Sequence, residues 1–308
     1  MANHANETAH GSYEPYYVPE QSKFPIWASF GMFLMVFGFG TMLNDVKAGD
    51  SATFSSWLSF LGFAVLSVVL YNWFATQIRE NHQGLPSAQL KRSYVFGMYW
   101  FIFSEVMFFS AFFGALFYVR NFSVPWLGGE GEKGVANMLW EGFQAAWPLV
   151  ENPNPGLFNN PGEAMVWPGF SGMFGYLPLW NTIILVTSSF TVHIAHNALK
   201  SNNRKGLSLW LGITVLLGVL FLFLQAEEYI HAYEELGLTL NSGIYGSTFF
   251  LLTGFHVTLG TFMLAVMWLR QAKGHFKPED HFGFEATSWY WHFVDVVWIL
   301  LFFFVYIL

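Results

Sequence analysis

Seven stretches of about 20 apolar residues each dominate this sequence. They lie at residues 24–43, 54–75, 94–119, 179–199, 207–230, 244–269 and 289–308. A helix that crosses the hydrocarbon core of a bilayer needs about 20 such residues. None of the stretches alternates apolar with polar residues, which argues against a β-barrel. The sequence therefore predicts an all-α, polytopic membrane protein with seven transmembrane helices.

The composition excludes a soluble or disordered chain. Only 11% of the 308 residues are charged, whereas Phe occurs 36 times and Trp 14 times. Soluble domains carry about 25% charged residues, and so few charges would leave large apolar patches facing water. The chain also contains no Cys. Disulfides, thiolate metal sites, iron–sulfur clusters and covalently attached c-type haem are therefore excluded.

The distribution of Lys and Arg predicts the orientation in the membrane. If the N-terminus is inside, ten of the 13 positive residues fall in inner segments, and only Lys47, Arg120 and Lys133 fall outside. Inner loops carry the excess of Lys and Arg in membrane proteins. We therefore predict a cytoplasmic N-terminus without a cleavable signal peptide and a C-terminus on the outer side. The predicted segments are a cytoplasmic N-terminal segment (1–23), a two-helix bundle (24–75), a cytoplasmic linker (76–93) and a five-helix bundle (94–308) that includes an outer loop (120–178).

The outer loop is rich in Gly and Pro, which predicts an ordered, looped cap rather than a domain with its own core. Two interpretations are open for it. The loop is either a docking surface for neighbouring proteins or an insertion that the fold tolerates.

Ionisable residues within the spans are candidates for function. Glu105 lies near the middle of the third span, and Phe101, Ile102, Phe108 and Phe109 are its neighbours one helical turn away. A carboxylate there is costly, so Glu105 should stay protonated or find a partner. His256, in the middle of the sixth span, is the candidate partner.

Two pairs of polar residues share a helical face. His292 and Asp295 open the last predicted span, three residues apart, and are expected to form a polar packing contact near the inner interface. His193 and His196 have the same spacing. This spacing can hold a metal ion, but no carboxylate is nearby in sequence, so it does not predict a metal site.

Two other features of the spans concern packing and exposure. Glu227 and Glu228 fall at the outer end of the fifth span, where we expect them to reach the membrane interface. Small residues in the third span, at positions 110, 111, 114 and 115, are expected to let another helix approach closely. The residues show no haem-ligand pattern, protease signature or phosphate-binding loop. They leave transport, proton conduction and service as a subunit open.

Four motifs resemble one family. They are FSEVMFF at 103–109, QAEEY at 225–229, YGSTFFLLTGFH at 245–256 and HFGFEATSWYWHFVDVVW at 281–298. In this order they are similar to subunit III of haem–copper cytochrome c oxidases, over residues 24–308. The outer loop is longer than in the mitochondrial form of this subunit, which indicates a bacterial version.

The resemblance implies a role without redox chemistry in this chain. Subunit III carries no haem, no copper and no catalytic residue; these cofactors belong to partner subunits. It packs against subunit I, with subunit II and a small fourth subunit as further partners. It holds structural phospholipids in a V-shaped cleft, in a two-plus-five arrangement of its helices. It also supports proton uptake and protects the catalytic centre during turnover.

The whole complex oxidises cytochrome c, reduces oxygen to water and pumps protons across the bacterial inner membrane, and no nucleic acid takes part. Two alternatives are kept: subunit III of a quinol oxidase, and an independent membrane transporter.

The resemblance also implies roles for individual residues. Glu105 matches the buried glutamate of the third helix. The residues that match the lipid-binding positions at the inner face are Trp73, Arg79, Glu80, Arg270, Lys273 and His275. Arginine offers a planar fork to phosphate oxygens, which suits a lipid headgroup. The positive-inside rule alone would also place basic residues at this level.

Overall fold

The computed structural model describes residues 17–18, 20–131, 134–254 and 256–308. Most of the predicted N-terminal segment, 1–23, lies outside these residues. The described residues form helices and no strand. The long helices are α1 (Phe24–Ala48), α2 (Thr53–His82), α3 (Ala88–Tyr118), α4 (Leu177–Lys200), α5 (Arg204–Glu234), α6 (Gly243–Thr253), α7 (His256–Ala272) and α8 (Phe282–Leu301).

Seven segments of the described chain are long and apolar enough to cross a membrane, as the sequence predicts. Helices α6 and α7 together form one of them, Gly243–Ala272. Two spans end in π-helical turns, Val119–Ser123 after α3 and Phe302–Ile307 after α8. The protein is an all-α polytopic membrane protein.

Several helices extend beyond their apolar stretches. Helix α2 runs to His82 and α3 begins at Ala88, so only residues 83–87 of the predicted linker 76–93 lie between the two helices. Helix α8 begins at Phe282 instead of Trp289. The length of an apolar stretch indicates how much of a helix crosses the hydrocarbon core. The helical backbone hydrogen bonds continue into the polar region on either side.

The chain divides into two compact units, with the boundary after Gly97 within α3. In the first unit, α1 and α2 pack through glycines at very short range. A Cβ atom at Gly38 would lie 2.4 Å from the backbone nitrogen of Ser59, and one at Gly62 would lie 2.2 Å from that of Met35. Small residues let helix backbones approach closely where water supplies no hydrophobic driving force. The Ser59 hydroxyl adds a hydrogen bond to the Met35 carbonyl oxygen at 3.1 Å.

In the second unit, the core surrounds the tryptophans of α8. Trp291 is fully buried, and Gly218 of α5 and Gly260 of α7 leave the space for its ring. The indole N–H of Trp291 donates to the Ser188 hydroxyl at 2.9 Å. These contacts connect α8 with α4, α5 and α7, and they fix the rotation of α8 about its own axis.

The loop between α3 and α4 is attached to the chain that joins α5 to α6. The backbone N–H of Gly162 donates to the Leu236 carbonyl oxygen at 2.8 Å, and that of Asn159 donates to the Asn241 carbonyl oxygen at 3.0 Å. The described part of this loop is therefore an ordered cap on one end of the second unit, which we call the loop end. The opposite end, which carries Lys200, Arg204 and Arg270, is called the basic end.

Candidate functional site

Glu105 of α3 and His256, the first residue of α7, meet inside the second unit. Glu105 Oε2 lies 2.7 Å from His256 Nε2, although 151 residues separate them in sequence. The side chains are only 21% and 11% exposed. The rings of Phe108 and Phe109 lie 5.5 Å and 4.4 Å from the imidazole. The structure thus brings together the carboxyl group and the candidate partner that the sequence predicts for it.

The short distance and the apolar surroundings define what this pair can do. The hydrogen bond gives each of the two polar groups a partner, so neither is left isolated among phenylalanines. A buried hydrogen bond of this kind fixes α3 against α7. The pair can hold a proton. Proton conduction across the membrane would need a chain of further acids or histidines along the span.

His292 and Asp295 also lie close together, with 3.4 Å between His292 Nδ1 and Asp295 Oδ2. His292 Nδ1 is 2.8 Å from the Ser189 hydroxyl of α4. Helix α8 begins at Phe282, so the pair lies within the helix rather than at its first residues. The pair connects α8 with α4 within the bundle.

The structure corrects the predicted position of Glu228. It was expected to reach the membrane interface, yet it is 1% exposed and accepts a hydrogen bond from the Tyr306 hydroxyl. The reason is that α5 continues to Glu234, so Glu228 lies within the helix and faces the last turns after α8. Burial, with the Glu228 carboxyl nearby, raises the pKa of Tyr176, whose ring packs on Tyr306. Nothing in the local sequence separates the buried Glu228 from its neighbour Glu227, because the partner is contributed by a segment 78 residues away.

Removing the Tyr306 hydroxyl is expected to destabilise the loop end. Tyr306→Phe keeps the ring but leaves a buried carboxyl without its donor, which costs about 1–3 kcal/mol. We expect a lower midpoint for heat-induced release of this chain from its native assembly. Tyr233→Phe is the matched control, since Tyr233 lies on α5 and is 46% exposed. Equal midpoints for the two variants would contradict the structural role of the bond.

The residues implied in lipid binding lie at the ends of helices, in two separate groups. In the first unit, Trp73 stacks on Phe24 with ring centroids 6.0 Å apart, and the Arg79 guanidinium donates to the Thr76 hydroxyl at 3.1 Å. Glu80 accepts from the Gln77 amide at 3.3 Å. These contacts order the last turns of α2. The bond to Thr76 uses only one of the guanidinium nitrogens of Arg79, so other N–H donors remain available.

The second group follows α7. The Arg270 guanidinium lies 4.8 Å from the centre of the Phe276 ring, and its Nε is buried without a hydrogen-bond partner. Lys273 is exposed and His275 is half-buried in the turn that comes next. Arg270 is therefore fixed by an aromatic ring and retains a donor that no protein group satisfies.

The described residues contain no set of three His, Cys, Asp or Glu side chains placed to hold a metal ion. The family model described as "Cytochrome c oxidase subunit III" matches residues 14–130 and 165–308, which include all seven spans. The chain belongs to the cytochrome c oxidase subunit III family. Its role is thus that of a subunit of a respiratory oxidoreductase that contains several subunits.

Individual subunit III sequences support the same assignment. The "Cytochrome c oxidase subunit 3" of Prototheca wickerhamii is 38% identical over 292 residues, which cover 94% of this chain and 95% of that relative. The protein of the same name from Oryctolagus cuniculus is 38% identical over 249 residues, or 80% of this chain and 81% of the relative. The one from Equus asinus is 39% identical over 253 residues, or 80% and 82%. The family model leaves residues 131–164 unmatched, and these form the middle of the loop between α3 and α4.

Proposed function

We propose that this chain is the non-catalytic subunit III of a proton-pumping cytochrome c oxidase, where it stabilises subunit I, holds phospholipids and supports proton uptake. The observation that carries this proposal is the match to subunit 3 sequences along nearly the whole chain, 94% in one relative. The relatives are named for cytochrome c oxidase, which favours that enzyme over a quinol oxidase. A subunit role is favoured over transport for the same reason.

The partners and location follow from this assignment. Subunit I is the direct neighbour, subunit II and a small fourth subunit complete the complex, and haem and copper belong to the partners. The excess of Lys and Arg at the basic end supports a cytoplasmic position for that end and for the N-terminus. We place the complex in a bacterial inner membrane.

Copurification tests the subunit role. An affinity tag on this chain, used in mild detergent, should bring down larger partners together with the absorbance of haem and copper. Recovery of this chain by itself, with the haem left in the unbound fraction, would contradict the proposal.

The Glu105–His256 pair is proposed to be structural. Its hydrogen bond joins α3 to α7, and its apolar surroundings favour a shared proton over separated charges. In this role the pair keeps the five-helix part of subunit III in one arrangement, while the pumped protons move elsewhere in the complex.

Arg79 and Arg270 are proposed to bind phospholipid headgroups, each at the end of its own helix. Arg270 supports this most strongly, because the Phe276 ring positions its guanidinium. A guanidinium donates to two phosphate oxygens at once, which suits a lipid headgroup.

Removing both guanidinium groups should reduce the bound phospholipid and the time for which the enzyme stays active. The initial rate of oxygen reduction should change less. In the Arg79→Ala/Arg270→Ala variant we expect less phospholipid per purified complex and faster inactivation during turnover, with the initial rate of oxygen reduction near normal. Arg92→Ala/Lys205→Ala removes the same charge from exposed positions and is the control. An immediate loss of oxygen reduction, or equal lipid loss in the control, would contradict the proposal.

A further inference from the structure

Two histidines face each other at the basic end of the second unit. His196 lies in the last turns of α4, and His281 is the residue directly before α8. Their Nε2 atoms are 3.4 Å apart, and the rings are inclined by 69°. Both side chains are half-buried, so water reaches them from the end of the bundle.

The separation of the two nitrogens makes a long hydrogen bond and equals the spacing of two nitrogen ligands on one metal ion. Hydrogen bonds from N–H groups usually span about 2.7–3.2 Å. A tetrahedral Zn²⁺ with Zn–N bonds of about 2.0–2.1 Å holds its ligand nitrogens about 3.4 Å apart. The two imidazoles therefore already stand at the distance that one zinc ion requires.

A second contact fixes which nitrogen of His281 is the ligand. His281 Nδ1 lies 3.2 Å from the Lys277 carbonyl oxygen, and a carbonyl oxygen only accepts, so Nδ1 carries the proton. In the neutral ring Nε2 then holds the lone pair that points toward His196. Metal-ligating histidines are oriented by this same kind of bond from the other ring nitrogen.

We propose that His196 and His281 together bind one divalent cation of the zinc class through their Nε2 atoms. Without metal, His196 Nε2–H donates to His281 Nε2. On binding, the proton of His196 transfers through water to its Nδ1, so both Nε2 lone pairs face the ion and no proton is lost. Water fills the other positions, since the described residues supply no third His, Cys, Asp or Glu ligand.

The bound ion would connect the end of α4 to the beginning of α8. Lys200, one turn after His196, acts against a cation at this position and limits the affinity. Imidazole ligands suit Zn²⁺, Cu²⁺, Ni²⁺ and Co²⁺, whereas Mg²⁺ and Ca²⁺ prefer oxygen. We therefore expect selectivity for zinc-class ions over alkaline-earth ions.

Zinc binding by the intact purified complex tests the proposal. Radioactive Zn²⁺ is titrated by equilibrium dialysis into the wild-type complex and into complexes with His196→Gln or His281→Gln. Each variant should lose one zinc site, or bind it at least about tenfold more weakly. His193→Gln is the matched control, because His193 is an exposed imidazole one turn earlier on α4. Unchanged binding in both variants, or an equal loss in the control, would overturn the proposal.

A measurement on the unaltered protein tests the same proposal if the variants fail to assemble. Diethyl pyrocarbonate modifies accessible neutral imidazoles, and mass spectrometry locates each modified residue. Zinc should protect His196 and His281 while His193 reacts as before, and Mg²⁺ should protect none of them. Modification of His196 and His281 that is unaffected by zinc would overturn the proposal.

Discussion

Replacing Gly38 by leucine is expected to separate α1 from α2 and to remove this chain from the oxidase complex. A Cβ at Gly38 would meet backbone atoms of Ser59 at 2.4 and 2.8 Å, and backbone offers no rotamer that could move aside. The two helices would have to move apart, and the close packing along their whole contact would be lost. We expect the amount of this chain in purified complexes to fall at least about tenfold, a loss that corresponds to about 1.4 kcal/mol or more.

Gly40→Leu is the control for this experiment. Gly40 lies two residues further along α1, and a Cβ there has no atom within 4 Å. Hydropathy, helix propensity and insertion into the membrane change equally in the two variants. Similar losses for both would show that the helix, rather than its contact with α2, is sensitive to leucine.

The second large effect is expected at Glu105. Glu105→Ala leaves a void beside Phe108 and Phe109 and removes a hydrogen-bond partner of the His256 imidazole, which together cost about 2–5 kcal/mol. Glu105→Gln keeps the shape, and its amide can donate to His256 Nε2. We expect the alanine variant to assemble poorly and the glutamine variant to assemble normally.

Protons pumped per electron in reconstituted vesicles separate a structural role from a relay role. The glutamine side chain does not ionise, so normal pumping by Glu105→Gln would show that Glu105 lies off the pumping path. Loss of pumping by an assembled Glu105→Gln complex would contradict the structural role and favour a relay through the pair.

The helices themselves could be predicted from the sequence because apolar length alone determines them. The seven spans follow from the absence of water in the bilayer, where a helix is the structure that satisfies its own backbone. The ends of the helices were predicted less accurately. Helix α8 begins at Phe282 because Phe284 and Trp291 pack into the core, and hydropathy does not report which face of a helix is buried.

Contacts between distant segments were harder to predict. Glu105 and His256 were matched because two ionisable residues at mid-span need partners. Glu228 was misplaced because its partner, Tyr306, is an ordinary residue of an apolar stretch. The small residues of α3 were expected to let another helix approach closely; a Cβ at Gly114 has no atom of this chain within 4 Å, whereas Gly38 and Gly62 do make close helix contacts. A small residue permits close approach, but only the position of the neighbouring helix decides where approach occurs.

Removal of this chain from the purified complex tests the central claim, that it is an accessory subunit without a redox centre. The complex with the chain and the complex without it are compared for haem and copper content, initial rate of oxygen reduction and loss of activity during continuous turnover. We predict equal haem and copper, similar initial rates and much faster inactivation in the complex that lacks the chain. Haem or copper that leaves with the chain, or oxygen reduction that stops at once, would contradict the claim.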